Sequence, residues 1–314
     1  MKDNVNTGVA TAGMRLIQGG TFRMGSELYY PEERPIRRAD VASFYLDEVP
    51  VTNAAFARFV LAAGYVTEAE TVPDANAYVG SGAATFAAGS SVFAASRDDD
   101  VSGLPPWWQF VAGAHWRAPS GPGSTLDNRM DHPVVHITYK DAAAYASWAG
   151  KDLPTEAEWE FAARGGLESA EFSWGDELSP GGVTMANYWH GEFPHQNLAL
   201  DGWDRTSPVG SFPANGYGLY DMIGNVWEWT SDWWTLPRDG ASSTQSCCAK
   251  RDDGLPRRSA DPNDVNAVPR RVIKGGSHLC AENYCQRFRP AARHPNAIDT
   301  STSHLGFRCV LRLV

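Results

Sequence analysis

The sequence predicts an α+β fold of one domain with a high content of loops. Three segments combine helical spacing of apolar residues with capping signals, whereas the other apolar patches are short and broken by Gly, Pro, Asn and Asp. Of the 314 residues, 43% are hydrophobic and 12 are tryptophans, enough for a sizeable core with aromatic packing. We therefore expect a single unit over residues 1–314, built from short strands, turns and a few helices.

Two of the predicted helices have complete start signals. Thr52 or Asn53 can cap the first, which ends at Gly64. Thr155 and Glu158 give the other the full Thr-x-x-Glu capping box, and a glycine pair follows it. The apolar residues of the first helix recur at helical spacing, at Phe56, Phe59, Val60 and Ala63.

A further predicted helix lies between these two, in the segment TYKDAAAYASWAG, residues 138–150. Thr138 and Asp141 have spacing close to a capping box, and Gly150 ends the segment. Tyr145 and Trp148 are expected to form its buried stripe.

Two long stretches are expected to be surface excursions. Residues 71–103 are rich in Ala, Ser and Gly, and residues 236–270 are polar and rich in Pro and Asp. Residues 1–13 are expected to be flexible. Neither long stretch has the position of a domain linker, so the prediction of one domain stands.

The charge and the N-terminal sequence limit the partners and the compartment. A net charge of −10 and a pI near 5.3 argue against nucleic acid or an anionic membrane as the main partner. There is no apolar stretch of the kind found in a secretory signal and none long enough to span a bilayer. We therefore expect a cytoplasmic protein, whose five cysteines are free or metal-bound thiols.

Cys280 and Cys285 form the most informative feature of the sequence. A disulfide between them would close a very short loop and contribute only about 2 kcal/mol. Zinc would need further ligands at a usable spacing, whereas Cu(I) accepts two thiolates. A reactive pair also fits, because Arg287, Arg289 and Arg293 follow closely and positive charge favours thiolate. Arg287 and Arg289 alternate as on one face of a strand, and Arg293 lies just beyond; the three are either surface charge or a group that offsets the thiolate charge or binds a carboxylate or peptide backbone. Spacing alone leaves a structural and a functional role open.

The other histidines and cysteines of interest are expected to be structural. His132 and His136 have a metal-like spacing, but the proline between them argues against the helix that would align their rings. Cys309 is predicted to be a small buried apolar residue. Cys247 and Cys248 lie in the polar loop, where their role stays open between a soft-metal pair and a chance pairing or weak structural role.

The segment GYGLYDMIGNVWEWTSDWW, residues 216–234, has two interpretations. Its turns, together with Asp221, Asn225 and Glu228, offer the oxygen ligands that Ca²⁺ prefers. Its four tryptophans are equally typical of an aromatic core. A similar turn surrounds Asp201 in LALDGW.

Taken together, these motifs resemble those of the formylglycine-generating enzymes of bacterial type, in the sulfatase-modifying factor family. That family has an irregular, C-type-lectin-like fold, and the resemblance implies the same fold here. The cysteine pair matches the enzyme branch, because non-catalytic relatives lack it. The resemblance covers nearly the whole chain, in GGTFRMGS (19–26), VTNAAFARFV (51–60), PPWW (105–108), HPVVHI (132–137), LPTEAEWEFAARGG (153–166), ANYWHGEFP (186–194), GLYDMIGNVWEWTSDWW (218–234), GGSHLCAENYCQRFRPAAR (275–293) and LGFRC (305–309).

The resemblance implies a copper-dependent oxidase. Cys280 and Cys285 would hold Cu(I) as a linear bis-thiolate, and dioxygen would be the co-substrate. The substrate would be an unfolded sulfatase segment carrying Cys-x-Pro-x-Arg, whose cysteine becomes Cα-formylglycine. A monomer acting without nucleic acid or membrane is expected.

The resemblance also implies roles for individual residues. Ser277 and Tyr284 match polar positions of the active site, and Arg287, Trp227 and His304 match substrate-binding positions. His304 replaces an asparagine found in many members, and Asp221 replaces another asparagine, which adds charge to a calcium site. One calcium ion would be held by Asn187, the Tyr188 carbonyl, Asp201 and the Trp203 carbonyl; a second by Asp221, the Gly224 and Val226 carbonyls, and Glu228.

Two other interpretations of the same fold exist. A lectin-like binding or scaffold protein would keep the fold without the chemistry, and would not need Cys280 or Cys285. An iron-dependent sulfoxide synthase would need an H-x₃-H-x-E triad and a further N-terminal helical domain; Thr138 occupies the place of the required carboxylate.

Overall fold

Three helices begin and end where the sequence predicts. The computed structural model describes residues 11–74, 87–94, 107–236 and 254–313. Helix α1 (Asn53–Ala63) is capped by Thr52, whose hydroxyl accepts a hydrogen bond from the Ala55 N–H, and ends at a left-handed Gly64. Helices α2 (Tyr139–Trp148) and α3 (Glu156–Ala163) both start with capping boxes, at Thr138 and Thr155. A short helix, α4 (Leu255–Ser259), follows later in the chain.

The strands of the described residues are short and belong to four small sheets. Their orders are β1–β4–β11, β10–β7–β8–β9, β2–β3 and β5–β6. The irregular backbone between them confirms the predicted α+β class with high loop content. The strands are β1 (Met14–Ile17), β2 (Gly20–Met24), β3 (Arg37–Val41), β4 (Phe44–Asp47), β5 (Gly89–Phe93), β6 (Trp108–Ala112), β7 (Trp227–Trp233), β8 (Arg270–Lys274), β9 (Arg293–Ala297), β10 (Leu305–Gly306) and β11 (Val310–Arg312).

The four-stranded sheet has one charged face and one apolar or aromatic face. Directly opposed residues of neighbouring strands point to the same side of a sheet, and successive residues alternate. The register therefore puts the charged row of Glu228, Lys274 and Arg293 on one face. The row of Trp229, Ile273 and His294 occupies the other face.

The basic side chains on the charged face form ion pairs with carboxylates of α3. Lys274 Nζ donates to Glu160 at 2.9 Å, and Arg293 binds both carboxylate oxygens of Glu156 at 2.7 and 3.0 Å. Arg164 also pairs with Glu160, at 2.7 Å. Burial alone would raise the pKa of Glu160, but Lys274 and Arg164 lower it to about 2. The network fixes α3 against β8 and β9, and so fixes the loop between those two strands.

Aromatic side chains fill the core beside this sheet. Phe56 of α1 makes edge-to-face contact with Trp116 at 5.2 Å and lies parallel to Tyr145 of α2 at 5.9 Å. Trp229 is fully buried, and its indole N–H donates to the Ile137 carbonyl at 2.9 Å. Trp148, predicted to be buried with Tyr145, is instead 46% exposed: it is the last residue of α2, and its ring contacts Phe59 and Tyr145 only from the side of the core.

The predicted excursions are only partly irregular. Strand β5 lies inside 71–103 and pairs with β6, which lies just after that segment. Helix α4 and the start of β8 lie in 236–270, while residues 237–253, with Cys247 and Cys248, are outside the described residues. Of the predicted flexible stretch 1–13, residues 1–10 are also outside them. None of the helices in the described residues has the length and apolar character that a bilayer crossing requires.

Candidate active site

Two glycines position the loop that carries the thiols. Gly275 and Gly276 follow β8 with φ of 91° and 70°, in the region that favours glycine. A Cβ at Gly275 would lie 2.8 Å from the Met222 carbonyl oxygen, and one at Gly276 would lie 2.7 Å from the Arg287 backbone. The loop can therefore turn back on itself only because both side chains are absent.

The structure brings the two predicted thiols together. The Sγ atoms of Cys280 and Cys285 are 3.4 Å apart, Cys280 is buried, and Cys285 is partly exposed. The Ser277 N–H donates to Cys280 Sγ at 3.4 Å. Burial and the neighbouring sulfur raise the pKa of Cys280 well above its usual range. The hydrogen bond from Cys280 and the charge of Arg287 outweigh burial and lower the pKa of Cys285 to about 6. Near pH 7, one thiolate therefore lies beside one thiol.

Arg287 is held next to Cys285 by residues from a distant part of the chain. Its Nη1 lies 3.8 Å from Cys285 Sγ, and its Nη2 donates to Glu32 at 2.7 Å. Its guanidinium carbon lies 3.6 Å from the ring centroid of Tyr30. The Tyr30 hydroxyl accepts a hydrogen bond from the Gln286 N–H at 3.1 Å. Tyr30 and Glu32 thus fix the orientation of the positive charge.

The other two arginines do not face the thiols, contrary to one interpretation of the sequence. Arg289 is buried and forms a bidentate pair with Glu33 at 2.6 and 3.0 Å, and Arg293 pairs with Glu156. Residues 287–289 are not in a strand, so the expected alternation on one strand face is wrong. Of the three, only Arg287 contacts a thiol.

The pKa of Cys285 can be tested by alkylation of the reduced, metal-free protein. We expect the iodoacetamide rate at Cys285, followed by peptide mass spectrometry, to rise with pH through a midpoint near pH 6. Arg287→Gln should move the midpoint upward, because one stabilising charge is lost. A wild-type midpoint near the ordinary thiol value of 9.0 would contradict the described arrangement.

An aromatic wall flanks the thiols. Tyr284 is 52% exposed, stacks on Phe193 with centroids 4.6 Å apart, and meets Trp107 edge-on at 5.4 Å. Ser277, by contrast, is fully buried, and its hydroxyl accepts a hydrogen bond from the Leu279 N–H. Tyr284 therefore presents a surface beside the thiols, whereas Ser277 supports the loop next to Cys280.

The predicted substrate residues Trp227 and His304 lie side by side. The Trp227 N–H donates to the His304 carbonyl at 2.9 Å. Trp227 is only 4% exposed, so its ring belongs to the core and does not offer an exposed surface to a ligand. The His304 Nδ1 is 2.6 Å from the Thr302 hydroxyl, and its ring centroid is 4.7 Å from that of Trp108.

The first calcium set has the polar atoms that a cation would satisfy. Asn187 Oδ1 and Asp201 Oδ2 are buried without a hydrogen-bond partner, which is a costly arrangement for two acceptors. Asp201 Oδ1 accepts from the Trp203 N–H at 3.0 Å, and its carboxylate also interacts with the Tyr188 backbone. His190 Nε2 lies 3.7 Å from Asp201 Oδ2. The donor set is consistent with a hard cation.

The second calcium set fits less well. Arg308 donates to both Glu228 oxygens, at 2.8 to 3.0 Å, and the Trp159 indole N–H donates to Glu228 Oε2 at 2.8 Å. Asp221 Oδ2 accepts from the Gly210 N–H, and burial raises the pKa of Asp221 to about 6. Glu228 is therefore the partner of a buried arginine, a role that the sequence interpretation missed.

The two histidines that are expected to be structural, His132 and His136, are buried and hydrogen-bonded. His136 is fully buried, with Nδ1 2.7 Å from the Ser90 hydroxyl and Nε2 2.8 Å from the Pro119 carbonyl. The His132 Nδ1 lies 3.0 Å from the Thr206 hydroxyl. Within the ranges that the structure describes, no group of three or more His, Cys, Asp or Glu could hold a metal ion. Cys309 is buried, as predicted.

Comparison with known proteins identifies the family. The model of the sulfatase-modifying factor enzyme 1-like domain matches residues 2–313. The chain is 51% identical to the formylglycine-generating enzyme of Mycobacterium tuberculosis, over 94% of this chain and 96% of the relative. It is 36% identical to a protein of Bos taurus named inactive Cα-formylglycine-generating enzyme 2, over 95% and 88% of the two chains.

A solved structure shows the same fold. PvdO from Pseudomonas aeruginosa matches with a TM-score of 0.60 and 24% identity, covering 96% of this chain and 94% of that chain. The predicted fold class, with its irregular C-type-lectin-like architecture, is thereby confirmed. The motif resemblance, the family match and the identity over nearly the full length agree: the chain belongs to the sulfatase-modifying factor family of formylglycine-generating enzymes.

Proposed function

We propose that this chain is a copper-dependent oxidase that converts the cysteine of a Cys-x-Pro-x-Arg segment in an unfolded sulfatase into Cα-formylglycine. The observation that carries the proposal is the pair Cys280 and Cys285, with sulfurs 3.4 Å apart and Arg287 beside one of them. The relatives of the chain that are named formylglycine-generating enzymes support this activity.

The donor set suits Cu(I). Cys280 and Cys285 are soft ligands, and soft thiolates select Cu(I) over hard cations. Tetrahedral zinc would need further His or Cys ligands, and the described residues supply no such group. Bound copper would supply the one-electron chemistry that lets dioxygen oxidise the substrate carbon.

The residues of the chain would supply charge, orientation and a surface for the peptide. Arg287 offsets negative charge at Cys285. Glu32 and Tyr30 hold the Arg287 guanidinium in that position. The exposed ring of Tyr284, beside Trp107, offers an apolar surface to an extended peptide. Ser277 holds the loop so that Cys280 stays buried next to Cys285.

The overall reaction balances with a thiol reductant. The peptide CH₂SH group and one dioxygen, with two thiols that are oxidised to a disulfide, give the aldehyde, hydrogen sulfide and water. The carbon loses electrons to dioxygen, and the two thiols supply the remaining two electrons and two protons.

The product can be detected by mass. We expect reduced, copper-loaded protein, given dioxygen, a thiol and a Cys-x-Pro-x-Arg peptide, to yield a peptide that has lost one sulfur and two hydrogens and gained one oxygen. A peptide with Ser in place of Cys is the control and should be unchanged. The absence of this product, with fully copper-loaded protein, would contradict the proposal.

The physical setting is also proposed. We propose a monomer that acts in the cytoplasm on an unfolded polypeptide. The charge of −10 supports the monomer and argues against nucleic acid or an anionic membrane as a partner. Light scattering of the purified protein should give a mass near 34.2 kDa. A stable dimer would contradict this part.

Calcium is proposed as a structural ion at Asn187 and Asp201, whose buried oxygens lack partners. Free Ca²⁺ at about 100 times its Kd should stabilise the wild type by about 2.7 kcal/mol. Asp201→Asn should lose this gain, and the exposed neighbour variant Asp204→Asn should keep it, as measured by thermal unfolding in calcium and in EDTA. Equal gains in the wild type and Asp201→Asn would contradict the site.

A further inference from the structure

His294 of β9 lies next to the predicted substrate residues, although no motif marks it. Its ring centroid is 5.9 Å from that of Trp227. It is only partly buried, and it occupies the sheet face opposite the ion-pair network, in register with Ile273. The neighbouring Arg293 points the other way, into that network. The alternation of β9 therefore turns His294 toward the side of Trp227.

The hydrogen bond at Nδ1 determines which ring nitrogen can accept a hydrogen bond from a ligand. His294 Nδ1 lies 2.8 Å from the Pro295 carbonyl oxygen, and a carbonyl can only accept, so Nδ1 carries the hydrogen. In the neutral ring, Nε2 then has a free lone pair. Among the described residues, Nε2 has no hydrogen-bond partner, and it is not one of the buried unsatisfied atoms.

The ring stays neutral in the working pH range. Burial, with the charges of Arg287 and Arg270, lowers the pKa of His294 to about 4 and outweighs the opposing effects of the Pro295 carbonyl and Glu32. Near pH 7, His294 therefore presents an acceptor and not a positive charge.

His294 is related to the predicted substrate residues on one side and to the thiols on the other. In one direction, Trp227 joins His304 through the backbone, and the His304 ring meets Trp108. On the side of the thiols there is an electrostatic effect and not a contact: the charge of Arg287, whose Nη1 lies 3.8 Å from Cys285 Sγ, helps to lower the pKa of His294. We name the partly or fully exposed residues of this set, together with Tyr284 of the aromatic wall, the active-site rim: Cys285, Arg287, His294, His304, Trp108 and Tyr284.

We propose that His294 is a substrate-binding residue, whose Nε2 accepts a hydrogen bond from a backbone N–H group of the peptide substrate. The inference rests on the proposed function, because it requires an extended peptide along the rim. Extended peptides expose backbone N–H groups, and a fixed neutral acceptor on the protein recognises them without selecting a charge.

Peptide binding without chemistry tests the inference. The probe is a fluorescein-labelled Ser-x-Pro-x-Arg peptide, measured by anisotropy on reduced, copper-free protein. His294→Ala should weaken binding about fivefold, in keeping with one net hydrogen bond. His294→Gln should stay within about twofold of the wild type, because its amide oxygen can replace Nε2. His115→Ala, which removes a partly buried histidine away from the rim, should have no effect.

Each other result overturns the inference. Wild-type affinity in His294→Ala would mean that no bond is made. Equal weakening in His294→Ala and His294→Gln would mean that ring packing, and not the acceptor, matters. Cu(I) affinity by competition should stay unchanged in both variants; a loss of Cu(I) affinity together with peptide affinity would assign the weaker binding to damage of the site and overturn the inference. If the wild type neither binds this peptide nor converts its Cys form, the proposed function itself fails, which is distinct from a failure at His294 alone.

Discussion

Replacing Cys280 or Cys285 with serine is expected to reduce conversion of a Cys-x-Pro-x-Arg peptide to the background level. Each substitution removes one of the two proposed copper ligands, whose sulfurs lie 3.4 Å apart, and the described residues include no group of three or more His, Cys, Asp or Glu that could hold the metal instead. The fold should survive, because neither change empties a large volume of core. Conversion is measured by mass spectrometry, with thermal unfolding as the test of folding.

The matched control is Cys309→Ala, which removes a buried thiol outside the site. It should keep conversion near the wild-type rate, even if it lowers stability. A Cys280→Ser or Cys285→Ser variant that retains substantial activity would contradict the catalytic role of the pair. It would favour the lectin-like binding protein as the interpretation of this fold.

Glu228→Gln is expected to destabilise the protein by about 3–5 kcal/mol, because it leaves the buried charge of Arg308 without its partner. Both side chains are almost completely buried, at 1% and 0% exposed. Arg308 also donates to the carbonyl groups of Tyr220 and Asp221, so it cannot move to solvent without breaking those bonds. Chemical denaturation at pH 7 measures the change in the free energy of unfolding.

The control for this prediction is a pair at the surface. Arg15 and Glu48 lie 3.1 Å apart with side chains 50% and 29% exposed, so Glu48→Gln should change the free energy of unfolding by less than about 1 kcal/mol. Equal effects of Glu228→Gln and Glu48→Gln would mean that the buried pair is not what stabilises the sheet against the C-terminal segment.

The helices and the thiol pair could be predicted because their signals are local. Capping boxes at Thr138 and Thr155, and glycine stops, act within a few residues, and the structure has the helices at those places. Cys280 and Cys285 lie five residues apart, so their proximity needed only one tight loop.

The environment of the thiols could not be predicted, because it depends on contacts between distant segments. Glu32 is 255 residues away from Arg287, and no spacing rule connects them. The same limit applies to Glu228, whose partner Arg308 is 80 residues away; its carboxylate type suggested calcium, whereas the fold gives it a buried guanidinium. The sequence does not point to His294, because its position on the same side as Trp227 depends on the register of β9 against β8, which no local pattern specifies.

The most direct measurement of the central claim is the amount of Cu(I) bound by the reduced protein, compared with that bound by the double variant Cys280→Ser/Cys285→Ser. A competition titration against a Cu(I) chelator should give one tightly bound ion per wild-type chain and none above background for the double variant. Absence of tight Cu(I) binding by the wild type, or equal binding by the double variant, would contradict the claim that these two thiols form the copper site.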